Sequence, residues 1–118
     1  MKFAKSHEWI KIEGNVGTIG ISDHAQNELT ELCFLELPDV GKTFKAGDPC
    51  CVVESVKSAS DVFCPVSGEV IEINEAVMDD PSIVNLDAEE AGWFFKIKLE
   101  DISEINLLMD KDEYYGQF

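Results

Sequence analysis

The chain opens on an alternation of apolar and polar positions. In "WIKIEGNVGTIGIS" (residues 9–22), Ile10, Ile12 and Val16 lead on to Ile19 and Ile21, with Gly14-Asn15 at the break. A period of two interrupted by a Gly-containing pair predicts a β-hairpin. The period then changes. In "SDHAQNELTEL", Ser22 or Asp23 can cap a helix and Gln26 stands three after Asp23. Ala25, Leu29 and Leu32 follow at i, i+4 and i+7, so a short helix is expected over about residues 23–30, one face on the core.

Strand character returns after it. Phe34–Leu37 reads as a strand ended by Pro38, which cannot donate to a ladder. Val40-Gly41 and Gly47-Asp48 mark turns around a short Thr43–Lys45 segment, and Cys50–Val53 is a further strand. Val62–Cys64 and Val70–Ile73 give two more, separated by the Val66-Ser67-Gly68 turn. Residues 74–92 are acidic and weakly periodic, and "MDDPSIVN" (78–85) within them is expected as turns or one helical turn. "WFFKIKL" is a last strand with Phe95, Ile97 and Leu99 on one face. Ile102, Ile105, Leu108 and Met109 fall at helical spacing, so the chain is expected to end in a helix. Seven or eight short strands with close turns describe a mostly β, antiparallel sandwich or barrel with peripheral helices. No long helical crossovers are available for a parallel sheet. At 118 residues the chain is expected to form one domain spanning 1–118.

Charge narrows the partners. The net charge is −15, from 24 acids and 9 bases, and every base is a lysine. Without arginine there are no bidentate forks for phosphate or guanine, and the negative field disfavours nucleic acid and anionic membranes. Between Lys57 and Lys96 no base occurs while nine acids do, from Asp61 to Glu90. A solvated face is the plainer reading of that run; a docking surface for basic partners is the sharper one. No apolar run approaches a membrane span, and no signal-peptide or Arg-rich transit pattern opens the chain, so a cytoplasmic location is expected. The four cysteines, Cys33, Cys50, Cys51 and Cys64, lack the CxxC or CxxH spacing of a zinc site. On a regular strand Cys50 and Cys51 would point to opposite faces, and all four are expected as small buried hydrophobes.

One cation stands in an unusual setting. In "VVESVKSASDVF", Lys57 lies between two strand-like runs, among small residues. A short connection over Val56-Lys57-Ser58 would put it at a hairpin tip. Glu54 and Asp61 would then sit nearly opposite one another, framing the lysine. A lone exposed lysine is most often a solubilising residue. A Schiff-base nucleophile would need a pKa depressed by burial or nearby cations, and the flanking acids push the other way.

The motifs carry a resemblance. "SHEW" (6–9), "GISDHAQNEL" (20–29), "LELP" (35–38), "VVESVKSASD" (52–61), "PVSGEVIEIN" (65–74) and "GWFFKIKL" (92–99) resemble, nearly end to end, the H-protein family of the glycine cleavage system. The resemblance implies the flattened barrel-sandwich hybrid of lipoyl-biotinyl carriers, without catalytic turnover, and lipoic acid amide-linked to Lys57. It implies Glu54 and Gly68 as features read by a lipoyl or octanoyl transferase or lipoate ligase. Glycine decarboxylase (the P protein), the aminomethyltransferase (T protein) and dihydrolipoyl dehydrogenase (L protein) are the partners it implies, with a monomeric carrier. It further implies a cleft for the aminomethyl-loaded arm lined by Ser6, Glu8, His24 and Asp61. Taken singly, those four read as a local cap, a surface acid, a first-turn helix residue and a turn residue. A relay or storage carrier of lipoyl groups for other lipoate-dependent complexes is the alternative within the same class. The segment "NLDAEEAGW" departs from the Pro-Tyr-Gly-like pattern many relatives carry before Gly-Trp, and four cysteines exceed the usual number. The first departure is expected to alter a partner-facing loop.

Overall fold

In the computed structural model, which describes residues 1–118, the alternating stretch forms strands β2 (Glu8–Glu13) and β3 (Val16–Ile21). Glu13 pairs with Val16, and Gly14 takes φ +62° in the two-residue loop, a backbone few L-residues adopt. A two-residue strand β1 (Lys2–Phe3) flanks β2. Helix α1 (Asp23–Leu29) follows, with the Ser22 hydroxyl accepting from the Ala25 N–H. Ala25 and Leu29 pack on the core, as their spacing predicts.

Strands β4 (Leu32–Glu36), β5 (Thr43–Phe44), β6 (Pro49–Ser55), β7 (Ala59–Phe63) and β8 (Gly68–Ile73) come next. Helices α2 (Glu75–Asp79) and α3 (Ser82–Asp87), strand β9 (Phe95–Leu99), a 3-10 helix (Ile102–Leu107), β10 (Met109–Asp110) and α4 (Lys111–Tyr115) complete the chain. One antiparallel sheet runs β10-β1-β2-β3-β9-β8-β5 and the other β4-β6-β7. Ile10, Ile19, Val53, Val62, Val66, Val70, Phe95 and Ile97 are buried in one core cluster that draws on both sheets. Each such side chain contributes about 1.5–3 kcal/mol by leaving water. Trp9, Phe3 and Tyr114 form a second cluster, with Trp9 Nε1 donating to the Ala88 carbonyl at 3.0 Å.

The expected mostly β, antiparallel architecture with peripheral helices is what forms, and several local expectations need correction. Residues 78–85, expected as turns or one helical turn, instead span the end of one helix and the start of a second, because Val77 and Val84 are buried and give each a core-facing side. Pro81 separates them, holding Asp80 in an extended conformation. The expected terminal helix is broken: Leu108 is extended, Met109 pairs with Phe3, and Asp110 caps the new helix α4 through the Glu113 N–H. Cys50 and Cys51 do not face opposite ways. The register slips between Pro49 and Cys51, and that irregularity buries both. Cys33, expected buried, is exposed at a second irregularity between Leu32 and Phe34, its thiol directed at the Glu54 carbonyl.

Candidate functional site

Lys57 lies in the connection between β6 and β7, as its setting predicts, and is exposed. The turn is closed by Ser55 N–H donating to the Ser58 carbonyl at 2.8 Å. The Ser55 hydroxyl oxygen, in turn, accepts from the Lys57 and Ser58 N–H groups, both at 3.1 Å. Val56 N–H donates across to the Glu31 carbonyl at 3.0 Å. Every N–H of the turn therefore has a partner, and the lysine stands on a braced loop. Its Nζ reaches the Glu28 carbonyl, 3.4 Å away at the end of α1.

Glu54 and Asp61 do not face one another. The four-residue turn pairs Glu54 with Ala59 and Val52 with Asp61, so the two acids are diagonal neighbours. Asp61 is an exposed strand residue of β7, not a turn residue. Gly68 lies on β8 between Phe44 and Leu99, away from the turn in sequence and in sheet. A Cβ there would lie 2.1 Å from the Lys98 carbonyl oxygen, so packing alone requires glycine.

Beside the hairpin is a cleft of about 270 Å³ whose wall includes Ser6, Glu8, His24 and Asp61. These are the four residues that the motif resemblance groups together. Glu28, whose carbonyl holds the Lys57 amine, lines it too, so the lysine sits at the cleft's end. A larger groove of about 440 Å³ on residues 36–52 also borders Asp61, but no buried charge lines it.

Glu8 gives the cleft its chemistry. It is 2% exposed, so it is not a surface acid, and none of the protein's ion pairs involves it. One carboxylate oxygen accepts from the Ser6 hydroxyl. The other accepts at 3.1 Å from the Phe63 N–H of β7, the outer strand of its sheet. Burial pushes the Glu8 pKa up, and those two hydrogen bonds pull part of the way back. The result is a buried acid, held by two hydrogen bonds and with no cation of its own.

The α1 wall is anchored by residues that spacing did not reveal. The Tyr114 hydroxyl lies 2.7 Å from Ser22 Oγ and 2.6 Å from His7 Nδ1. Burial, then the neighbouring His24, lower the His7 pKa, which suits a neutral ring in that chain. His7 takes φ +78° between Ser6 and Glu8, a conformation no local pattern announces. Segment 85–91, whose departure from the family pattern is expected to alter a partner-facing loop, also braces the fold, while Leu86 in it is exposed. The Asn85 amide bonds Gln26, Thr30 and Leu32; Glu89 accepts from the Asp23 N–H and the Tyr115 hydroxyl; Glu90 pairs with Lys11 at 3.3 Å.

With that geometry in view, comparison with known proteins is direct. The family model described as Glycine cleavage H-protein matches residues 1–118. A glycine cleavage system H protein of Alcanivorax borkumensis is 51% identical over 117 residues, covering 99% of this chain and 91% of that one. Its counterpart from Shewanella sediminis is 53% identical over 115 residues, 97% and 89% of the two chains. The crystal structure of a glycine cleavage system H protein from Mycobacterium marinum superposes with a TM-score of 0.90 at 36% identity, over 98% of this chain and 94% of that one. In sequence from end to end, and in fold, the chain belongs to the glycine cleavage H-protein family.

Proposed function

We propose that Lys57 is where this carrier bears its lipoyl group, amide-linked through Nζ, and that the adjoining cleft receives the loaded arm. The protein is a non-catalytic lipoyl carrier of the glycine cleavage system, moving an aminomethyl group and electrons among that system's P, T and L components. The lipoyl group supplies a dithiolane that accepts the aminomethyl group and two electrons. The chain's own residues display, brace and shelter it.

The observation that carries the assignment is the turn itself: an exposed lysine on a fully hydrogen-bonded loop, its amine reaching the carbonyl of Glu28, a residue of the cleft wall. Amide formation removes the lysine's charge and leaves a tether whose base is fixed, which raises the arm's effective concentration at docked partners. The cleft fits the cargo as well. An aminomethyl group is cationic at neutral pH, Glu8 is a buried carboxylate lacking a cation, and Asp61 adds a second acid at the rim. Ser6 orients Glu8, and His24 forms part of the wall.

A lipoyl or octanoyl transferase, or a lipoate ligase, reads exposed Glu54 one turn-length from Lys57; Gly68 serves recognition by keeping β8 packed against β9. The same reading has the carrier work as a cytoplasmic monomer. No helix is long and apolar enough to cross a membrane. The test is intact-mass analysis after coexpression with a lipoate ligase. One lipoyl amide is expected on the native sequence and none on Lys57→Ala; an unmodified native chain overturns the assignment.

A further inference from the structure

We propose that Phe118 is a positioning residue for the cleft, acting through His24. The inference rests on the reading that this cleft shelters the aminomethyl cargo. The two rings stack with centroids 3.7 Å apart and planes 7° from parallel. Phe118 is nevertheless 58% exposed, so the stack is not core packing; its ring covers the imidazole and borders Tyr114 and His7, with centroids 5.3 and 5.9 Å away. His24 lines the cleft, and its Nε2 lies 4.0 Å from a Glu28 carboxylate oxygen, another lining residue. Face-on stacking removes the ring's freedom about its last torsion and keeps water from its outer side.

The surrounding contacts show why residues 114–118 can hold a ring in place. α4 grips the first turn of α1 at two further points: Tyr114 through Ser22, and Tyr115 through Glu89 to the Asp23 N–H. Phe118 N–H donates to the Tyr115 carbonyl at 3.3 Å, and the Gln117 amide donates to the Tyr114 carbonyl at 3.0 Å. The stack is the third point of a clamp and, with the Tyr114–His7 hydrogen bond, one of its two contacts on cleft side chains. Without it the histidine wall loosens and water reaches the cargo. Water then displaces the arm's thiol from the aminomethyl carbon, releasing formaldehyde and ammonia and leaving the thiol protonated.

The test compares lipoylated protein loaded from glycine by a glycine decarboxylase, following formaldehyde release with no aminomethyltransferase present. Phe118→Ala is expected to shorten the cargo's half-life roughly threefold to tenfold, the loss of one stacked pair expressed as a rate. Phe118→Tyr restores it. In a His24→Ala background, Phe118→Ala adds nothing. In the unmodified protein, Phe118→Ala moves the His24 ring-proton resonances downfield, a loss of ring-current shielding that a general loss of stability does not produce. Equal shortening with and without His24 overturns the proposal, as does an unshifted His24 resonance. If Phe118→Ala matches the native half-life while Glu8→Gln and Asp61→Asn shorten it, the clamp is wrong and the cleft reading survives. If none of the three shortens it, the cleft reading fails and takes the clamp with it.

Discussion

The lysine turn and the cleft share one hairpin yet are built by opposite means. The turn is closed by hydrogen bonds within residues 55–58, with only Val56 N–H and the Lys57 amine reaching out to α1's end and the residues just after it. Ser55 supplies the carbonyl-closing N–H and accepts two more N–H bonds, and nothing in it is buried against its chemistry. The cleft joins Glu8 to Phe63 and His7 to Tyr114 across 55 and 107 positions, and it buries a carboxylate with no counter-ion. A displayed group needs local order at little cost to the fold. A walled cleft needs distant elements locked together, and this one also carries the electrostatic penalty of a buried acid without a counter-ion.

The largest expected effect separates the halves outright. Lys57→Arg should abolish lipoylation in an intact-mass assay while leaving the thermal unfolding midpoint within error of the native value, since only the long contact to the Glu28 carbonyl is at stake. A large loss of stability would mean that the turn is coupled to the core after all. Tyr114→Phe attacks the other half. It leaves Ser22 and His7 without their buried partner and should cost about 1–3 kcal/mol in chemical denaturation, with lipoylation unchanged.

Glu8→Gln should raise stability at pH 7 by about 1 kcal/mol, ~4 °C in Tm for a chain of this size, by removing an uncompensated buried charge. The sign in pH follows. Burial raises the folded pKa of Glu8, so the folded state holds that proton more tightly than the unfolded chain does. Its contribution to stability is fully present below the ordinary carboxylate range. It is lost as pH rises through the raised value, and the glutamine variant should lack that part of the slope in urea titrations across pH. The smallest effect belongs to the turn: Ser55→Ala should cost about 0.5–1.5 kcal/mol and slow lipoylation severalfold, measured by ligase kinetics. If Ser55→Ala proved the costlier of the two, the contrast between the regions would collapse.

What could be read before the structure divides along the same line. The β2–β3 hairpin, α1 with its Ser22 cap and the position of Lys57 all follow from neighbours in the chain. Glu54 and Asp61 are offset because hairpin register depends on the turn's residue count, and Ser55–Ser58 closes one step tighter than a turn centred on Lys57. The long terminal helix failed because Met109 has a strand to join, β1, too short to leave a period of its own. Grouping Ser6, Glu8, His24 and Asp61 came from family motifs, not spacing. Their bland individual readings were wrong for Glu8, since only the fold reveals that β7 and Ser6 close over it. His7, Tyr114 and Phe118 gave no signal at all, because their partners lie about 90 or more positions away.

The burial of Cys50, Cys51 and Cys64 has a consequence for a chain that carries a cyclic disulfide on a tether. Thiol–disulfide exchange proceeds through the thiolate. Hydrogen bonding to Cys51 and burial push the Cys50 thiol far up; hydrogen bonding to Cys50 and burial do the same for Cys64. Both lie in the core, out of reach of a disulfide on a surface tether. The slip that turns Cys50 and Cys51 inward thus makes the carrier chemically indifferent to its own cofactor, so the arm's oxidation state is set by the partners it visits. Cys33 alone stays open to solvent, the one thiol through which that insulation could be bypassed.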